Sequence, residues 1–461
     1  MVASVLPAAA ALLTRMRAID LAYHVRTGEA MLASGHLIRT DPFTFTSRGD
    51  PWLNQQWAAD IVFGGAHRLL GWGGVAIVYA IACGVGFAFL YLHGRARGAS
   101  SRTSAVLTLG GFIVSTGPAP RPQALAVPLF TATGLLLVRK DRWRWLVVPI
   151  AVLWANVHGS FVLAPLLVAF VVAEELLDAR SLRTVPLLVA TVLATFVTPF
   201  GAAVWKYAWE IARNDTIRHW VAEWRPPTLT SVSGAAFWAS GVVVLLVALR
   251  VRRRVRPVDV ARLVIFFALA APAVRGTLWW ALAAPPVLAG WFASATDGAS
   301  PPRRRPDGIA LVTAACLVAL LPFAFAVRGG IDPVTSAPLR LAADAPQVLV
   351  ESVRSSVPDG SRLLVYQPFA SWFEFALPPD PVMVDSRIEL YPNEIWLDYD
   401  RAIGGTDTWR AILDRYRIRA VVLAPESRLH DRIAAAEGWE AAIDGPAGSV
   451  FVRSADQASS I

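Results

Sequence analysis

The chain is poor in cysteine, in charge and in glycine-rich phosphate motifs, and each shortage narrows what it can be. Its two cysteines, Cys83 and Cys316, both lie inside apolar runs, which argues against a disulfide framework and against a cysteine metal site. Only 17% of the residues are charged while 55% are hydrophobic, and the mean hydropathy is +0.48. Soluble globular domains are not composed this way; polytopic membrane proteins are. There is no Walker sequence, no Gly-rich nucleotide fingerprint and no repeat of solenoid period. The net charge of +9 does not point to nucleic acid, because the arginines fall in short clusters between apolar runs. The N-terminus also lacks the basic start of a signal peptide. Its "MVASVLPAAAALLTRMRA" reads as a first transmembrane helix, short against the roughly 20 residues of a full span.

What the chain does have is tryptophan, 18 in all, suited to the membrane–water interface. Apolar runs recur at about 72–93, 105–117, 124–138, 146–157, 160–178, 186–200, 234–250, 259–273, 278–295 and 309–327. With the N-terminal run they predict a mainly α, polytopic transmembrane helical bundle of about 11 spans over residues 1–327. Residues 54–70 are amphipathic and are read as interfacial. From 328 to 461, strand-like "RLLVYQP", "PVMVDS", "RAVVLAP" and "SVFVRS" alternate with helical stretches such as "TWRAILDRYR" and "LHDRIAAAEGW". This pattern predicts a small α/β soluble domain with a mainly parallel sheet.

Arginine placement sets the expected orientation. Arg95, Arg97 and Arg102, the group Arg139 to Arg144, Arg180 and Arg183, Arg250 to Arg256, and Arg303 to Arg305 share one side if the runs alternate. The positive-inside rule makes that side cytoplasmic. The expectation is an inner-membrane protein with a cytoplasmic N-terminus. The loop 17–57, the breaks near Arg121, His158 and Arg275, the loop 201–233 and the C-terminal domain then face outward.

The outward segments hold the ionisable groups. On a helix beginning near Asp20, Leu21, Val25, Gly28 and Leu32 form one stripe, and Asp20, His24 and Thr27 the neighbouring one. Asp20 fits two roles, an N-cap or a carboxylate facing a cavity. Asp41 precedes a proline, and its ordinary role is an Asx-turn. In "PWLNQQW", Gln55 and Gln56 can hydrogen-bond a polar ligand or a nearby backbone. "GPAPRPQAL" sets Arg121 and Gln123 at the mouth of a helical hairpin, and "WANVHGSF" puts Asn156 and His158 at membrane depth, where polar groups are costly unless paired or wetted. "IRHWVAEWRPPT" adds His219, Glu223 and Arg225, and "AVRGTLWW" adds Arg275, for which snorkelling to headgroups is the ordinary role. Together the outward arginines run against the charge rule unless an anion holds them. Arginine forks grip phosphate oxygens, and a carboxylate can act as general base on an incoming hydroxyl. A lipid phosphate, a base and an arginine clamp would make a glycosyl-transfer site; a transporter can carry the same groups.

The order "DLAYHVRTGEAMLASGHLIRTDPFTFT", "PWLNQQW", "RPQ", "LWANVHGSF", "TPFG", "EWRPP" and "VMVDSRIELY" resembles a bacterial membrane-protein family within the GT-C glycosyltransferase superfamily. The resemblance covers most of the chain and rests on motif order. It implies transfer of a sugar from a polyprenyl-phosphate donor to a cell-envelope glycan, lipid or protein acceptor on the outer face. It also implies an acidic residue in the first extracytoplasmic loop, matched here by Asp20. Relatives of the protein mannosyltransferase and aminoarabinose transferase type carry paired Asp-Glu there, whereas Asp20 is followed by Leu21. Asp41 or Glu223 is left to supply a second carboxylate. Some GT-C enzymes use a divalent metal and others do not, so the metal stays open. The expected assignment is Asp20 as catalytic base, with His24, Asp41, Gln56, Arg121, Asn156, His158, Glu223 and Arg275 binding substrate. The rival expectation is a transporter, a flippase or a scaffold that displays the soluble domain.

Overall fold

The computed structural model describes residues 2–115, 119–293, 320, 322–325 and 327–454. Arg303 to Arg305 and Cys316 lie outside the described residues, as does most of the run 309–327. The chain divides into two compact units. One comprises Met1–Leu13 and Ala76–Ala324; the other comprises Thr14–Val75 and Phe325–Ile461.

The helices of the first half are α1 (Val2–Leu13), α2 (Ala18–Ser34), α3 (Trp57–Ala96), α4 (Ser101–Ser115), α5 (Pro122–Leu137), α6 (Val147–Val157) and α7 (Leu163–Ala179). They are followed by α8 (Val185–Ala194), α9 (Ala203–Arg213), α10 (Asp215–Trp220), α11 (Val232–Arg250), α12 (Pro257–Ala270) and α13 (Thr277–Ala293). Prolines sit in the first turns of α5, α8 and α12, where a missing N–H costs nothing and the fixed φ suits a helix. In the helical unit Phe130 of α5 meets Trp154 of α6, Phe266 of α12 and Trp279 of α13, with ring centroids 6.1, 5.6 and 5.4 Å away. Such pairs contribute about 0.5–1.5 kcal/mol each beyond their burial. On α11, Val242, Val243, Leu245, Leu246 and Leu249 are exposed, a face suited to hydrocarbon. Among the described residues, three helices are long and apolar enough to cross a membrane by length and composition: Trp57–Ala96, Gly159–Ala179 and Val232–Arg250. Pro122–Leu137 and Val185–Ala194 are shorter apolar helices.

The second unit joins the opening loop to the C-terminal segment. Its helices are α2, the start of α3, α14 (Gln347–Ser356), α15 (Gln367–Ala376), α16 (Asn393–Ile403), α17 (Trp409–Arg415) and α18 (His430–Ala434). Its strands are β1 (Leu363–Val365), β2 (Ala420–Leu423), β3 (Trp439–Gly445) and β4 (Gly448–Arg453), in the order β1-β2-β4-β3. Only β1 and β2 run parallel; β4 is antiparallel to both of its neighbours. The sheet is therefore mixed, against the expected mainly parallel one, because β3 and β4 form a tight hairpin at Gly445 and Gly448. "PVMVDS" forms no strand of this sheet: Val382 makes single bridges to Leu363 and to Thr44.

The segment 54–70 enters helix α3 and ends at a kink, where Leu70 and Gly71 leave helical geometry and Gly71 takes φ +57°. That positive φ is open to glycine without steric cost. Upstream of the kink, α3 crosses α2 at Gly28 and Gly64. A Cβ on Gly28 would fall 1.8 Å from the Asp60 carbonyl oxygen, so only glycine lets the two backbones meet.

Candidate active site

In the second unit, helix α2 begins after Arg17, whose side chain makes no cap. The carboxylate of Asp344 takes that place, accepting from the backbone N–H groups of Ala18 at 3.0 Å and Ile19 at 3.3 Å, with Arg17 Nε also at 3.3 Å. An anion at a helix N-terminus satisfies orphan donors and the dipole together. The cap of this helix is thus Asp344 and not Asp20. It stands half-buried in the first turn of the helix. Burial, followed by the charges of Asp20, Asp60 and Glu389, pushes the Tyr23 hydroxyl well above the ordinary tyrosine range.

His24 is buried, with Nδ1 2.6 Å from Asp60 Oδ1, while Asp60 Oδ2 accepts from Asn54 Nδ2 at 2.8 Å. The group locks α2, the loop 54–56 and α3 at their crossing. Thr27 is buried as well, so two of the three residues of the expected polar stripe are enclosed by protein and Asp20 is half-buried. The backbone carbonyl of Gln56 accepts from Ala59 and Asp60 N–H as α3 begins.

Asp41 forms the Asx-turn, accepting from Phe43 N–H at 3.2 Å and Thr44 N–H at 3.1 Å. It does more than turn the chain. Arg387 Nη2 donates to Asp41 Oδ1 at 2.6 Å and to Asp385, which also receives Arg387 Nε at 2.8 Å. The rings of Trp52, Phe43 and Tyr23 surround this guanidinium at 4.5, 5.1 and 5.6 Å, within cation–π range. Glu374 is also buried, 4.0 Å from Arg387. Burial and then the Asp385 carboxylate push its carboxyl well above the usual range. Burial works upward on Asp385 too, but the Arg387 guanidinium and its hydrogen bonds outweigh it and hold the Asp385 carboxyl low. A raised pKa favours the neutral form of the Glu374 carboxyl. The "VDSRIELYP" motif thus pairs with the opening loop through Arg387.

The helical unit gathers three of the expected residues at one end. Arg121 stands at the N-cap of α5 and forms an ion pair through Nη2 with Glu223 Oε2, from the short turn Ala222–Trp224. Gln123 Nε2 donates to the Arg275 carbonyl at 3.3 Å, and Val274 N–H donates to the Arg225 carbonyl at 3.0 Å. The Arg275 guanidinium lies 4.8 Å from the Trp224 ring. Segments more than a hundred residues apart in sequence therefore meet around two arginines, a glutamate and an indole. The side chain of His219 lies outside the described residues.

Asn156 and His158 serve their own hairpin. Asn156 Nδ2 donates to the carbonyls of Val152 at 2.8 Å and Val197 at 2.9 Å, joining the end of α6 to the chain after α8. His158 Nδ1 accepts from Ser160 N–H at 3.1 Å, and its ring centroid lies 6.4 Å from that of Trp279. Their burial costs are met by these bonds.

Asp344, Asp60 and Glu374 are residues the sequence pattern did not single out. For Asp344 a signal existed: α2 is preceded by Arg17 and not by a capping side chain, so its N–H groups needed an acceptor from elsewhere. Among the described residues, no three His, Cys, Asp or Glu side chains gather as a metal-binding group.

No family model matches the sequence, and no curated protein is detectably similar to it in sequence. Solved structures are similar. The apo oligosaccharyltransferase of Archaeoglobus fulgidus matches with a TM-score of 0.58 at 14% identity, over 92% of this chain and 69% of that one. ArnT of Cupriavidus metallidurans bound to undecaprenyl phosphate matches with a TM-score of 0.53 at 14% identity, over 99% and 97%. Its apo form gives 0.50 at the same identity, over 98% and 97%. The chain shares its fold with these solved structures.

Proposed function

We propose that the protein is a membrane glycosyltransferase that moves a sugar from a polyprenyl-phosphate donor to an acceptor on the outer face of the membrane. In this reading Asp20 is the general base on the acceptor hydroxyl, and Arg121 with Arg275 holds the departing lipid phosphate. Glu223 keeps Arg121 oriented until the phosphate arrives. The observation that carries the reading is the convergence of Arg121, Glu223 and Arg275 at one end of a helical unit. Arginine forks brought together at a helix mouth suit the oxygens of a phosphate. Two further observations support it: Asp344, and not Asp20, accepts from the first N–H groups of α2, and ArnT, of the same fold, binds undecaprenyl phosphate. The outward orientation and the 11-span count belong to the same proposal. His24, Asp41, Gln56, Asn156 and His158 would act by positioning the loops that carry these groups.

The test is release of polyprenyl phosphate by purified protein supplied with polyprenyl-phosphate sugars and envelope acceptors. Asp20→Asn should slow transfer about 100-fold or more, the usual loss for a general base. Transfer by that variant at the native rate from every accepted donor would remove Asp20 from the role. A chain that moved lipid without releasing polyprenyl phosphate would be a transporter.

A further inference from the structure

The other end of α5 carries a second assembly. Arg121 precedes the first residue of this 16-residue helix and Val138 follows the last, so its ends lie about 24 Å apart. Near the Val138 end, a cavity of about 330 Å³ opens between α3, α5, α7, α12 and α13. Leu90, Phe130, Leu167, Val171, Leu282 and Pro286 give it apolar walls, and arginines and acidic residues gather at its polar side.

The acidic groups already have cations. Glu174 and Asp178 pair with Arg256. Glu175 pairs with Arg144 at 3.3 Å and accepts from the Thr184 hydroxyl at 2.6 Å. Arg97 is matched by Asp259 at 3.4 Å, and Arg139 by Asp141. Arg262 differs. It lines the cavity, its Nε is shut off from solvent with no hydrogen-bond partner, and its guanidinium lies 5.3 Å from the Phe170 ring. Among the described residues it makes no ion pair. Its charged surroundings are Arg97 and Arg256, which repel it, and Asp259 and Glu174, which the other arginines hold. A guanidinium left in this way inside a membrane-type helical unit is costly unless an anion joins it.

We propose that this cavity binds a lipid phosphate. Arg262 would take the phosphate oxygens, and the lipid chain would lie against Leu90, Phe130, Leu167 and Leu282. A phosphate suits the planar fork of an arginine, and the apolar walls select a lipid ester over a soluble one. The proposal does not depend on the reaction proposed above, since it uses the opposite end of α5.

The test uses the full chain, purified in detergent and stripped of lipid. It is titrated with dioleoyl phosphatidic acid, dioleoylglycerol and glycerol 3-phosphate, and adducts are counted by native mass spectrometry. Phosphatidic acid should bind saturably at one site. Arg262→Gln should weaken it about tenfold or more, the scale of one charge-assisted hydrogen bond. Ala283→Phe, which fills the cavity and changes no charge, should weaken it as much. It also keeps the test open should Arg262→Gln not fold. Unchanged affinity in either folded variant overturns the proposal. So does dioleoylglycerol binding as tightly as phosphatidic acid. Glycerol 3-phosphate binding that tightly would overturn it too, by assigning the cavity to a soluble phosphate ester.

Discussion

At Arg387 one guanidinium holds two carboxylates, from Asp41 and Asp385, among three aromatic rings in a place closed to solvent. Removing it strands both carboxylates. Arg387→Met should therefore destabilise the protein by about 3–5 kcal/mol, the cost of breaking a buried pair from one side, read as a lowered unfolding transition. Glu374 beside it gives a pH signature. Its folded carboxyl is raised above the ordinary 4.5, so its contribution is fully present below that value. The contribution is lost as pH rises through the raised one. Glu374→Gln removes this loss: melting curves should match the native chain near pH 4 and lie above it at alkaline pH. From sequence, Asp41 was legible as a turn former because its Asx-turn uses neighbours within three residues. Its second partner lies 346 residues away, and no local pattern reports that.

Among elements, α2 shows most plainly what a periodic pattern reveals. Of its apolar stripe, Leu21, Val25 and Gly28 are buried as the spacing predicts, while Leu32 in the last turn is exposed. A cavity-facing carboxylate is one of the two roles the spacing allows Asp20, yet its stripe neighbours His24 and Thr27 are buried, because helices from elsewhere in the unit cover that side. Periodicity marks which residues share a face and is silent on what covers it. Strand β3, "WEAAIDG", was missed for a related reason: with alanine and glutamate on an exposed edge it carries little β-branched or aromatic signal. The start of α2 depends on Asp344, and Asp344→Ala should cost about 0.5–2 kcal/mol, as for other lost caps. Thermal unfolding would measure the loss, and limited proteolysis near Arg17 would show the frayed turn.

For the whole molecule, composition was enough to indicate a mainly helical chain rich in apolar helices, and the strand-like runs a small sheet near the C-terminus, since both are sums over many residues. The interleaving of segments was not legible, because compact units follow contacts and not chain order. The second unit takes in residues 14–75 together with 325–461, with Met16 bonded to Arg340 and Ala342 and Phe45 to Val382. A fragment of residues 328–461 expressed by itself should therefore lack a cooperative unfolding transition and be cut quickly by protease. Adding residues 14–75 in trans should slow the cutting. A fragment that melted as sharply as the full chain would contradict this.

The pairing of Asp41 with Arg387 also sets a clock. At about 5–20 residues per second on the ribosome, the 346 positions between them take roughly 17 to 70 seconds to synthesise. Throughout that interval the emerging opening loop has a carboxylate prepared for a partner that does not yet exist. Its docking must await near-completion of translation, and a nascent chain halted before Arg387 should leave the loop open to cleavage.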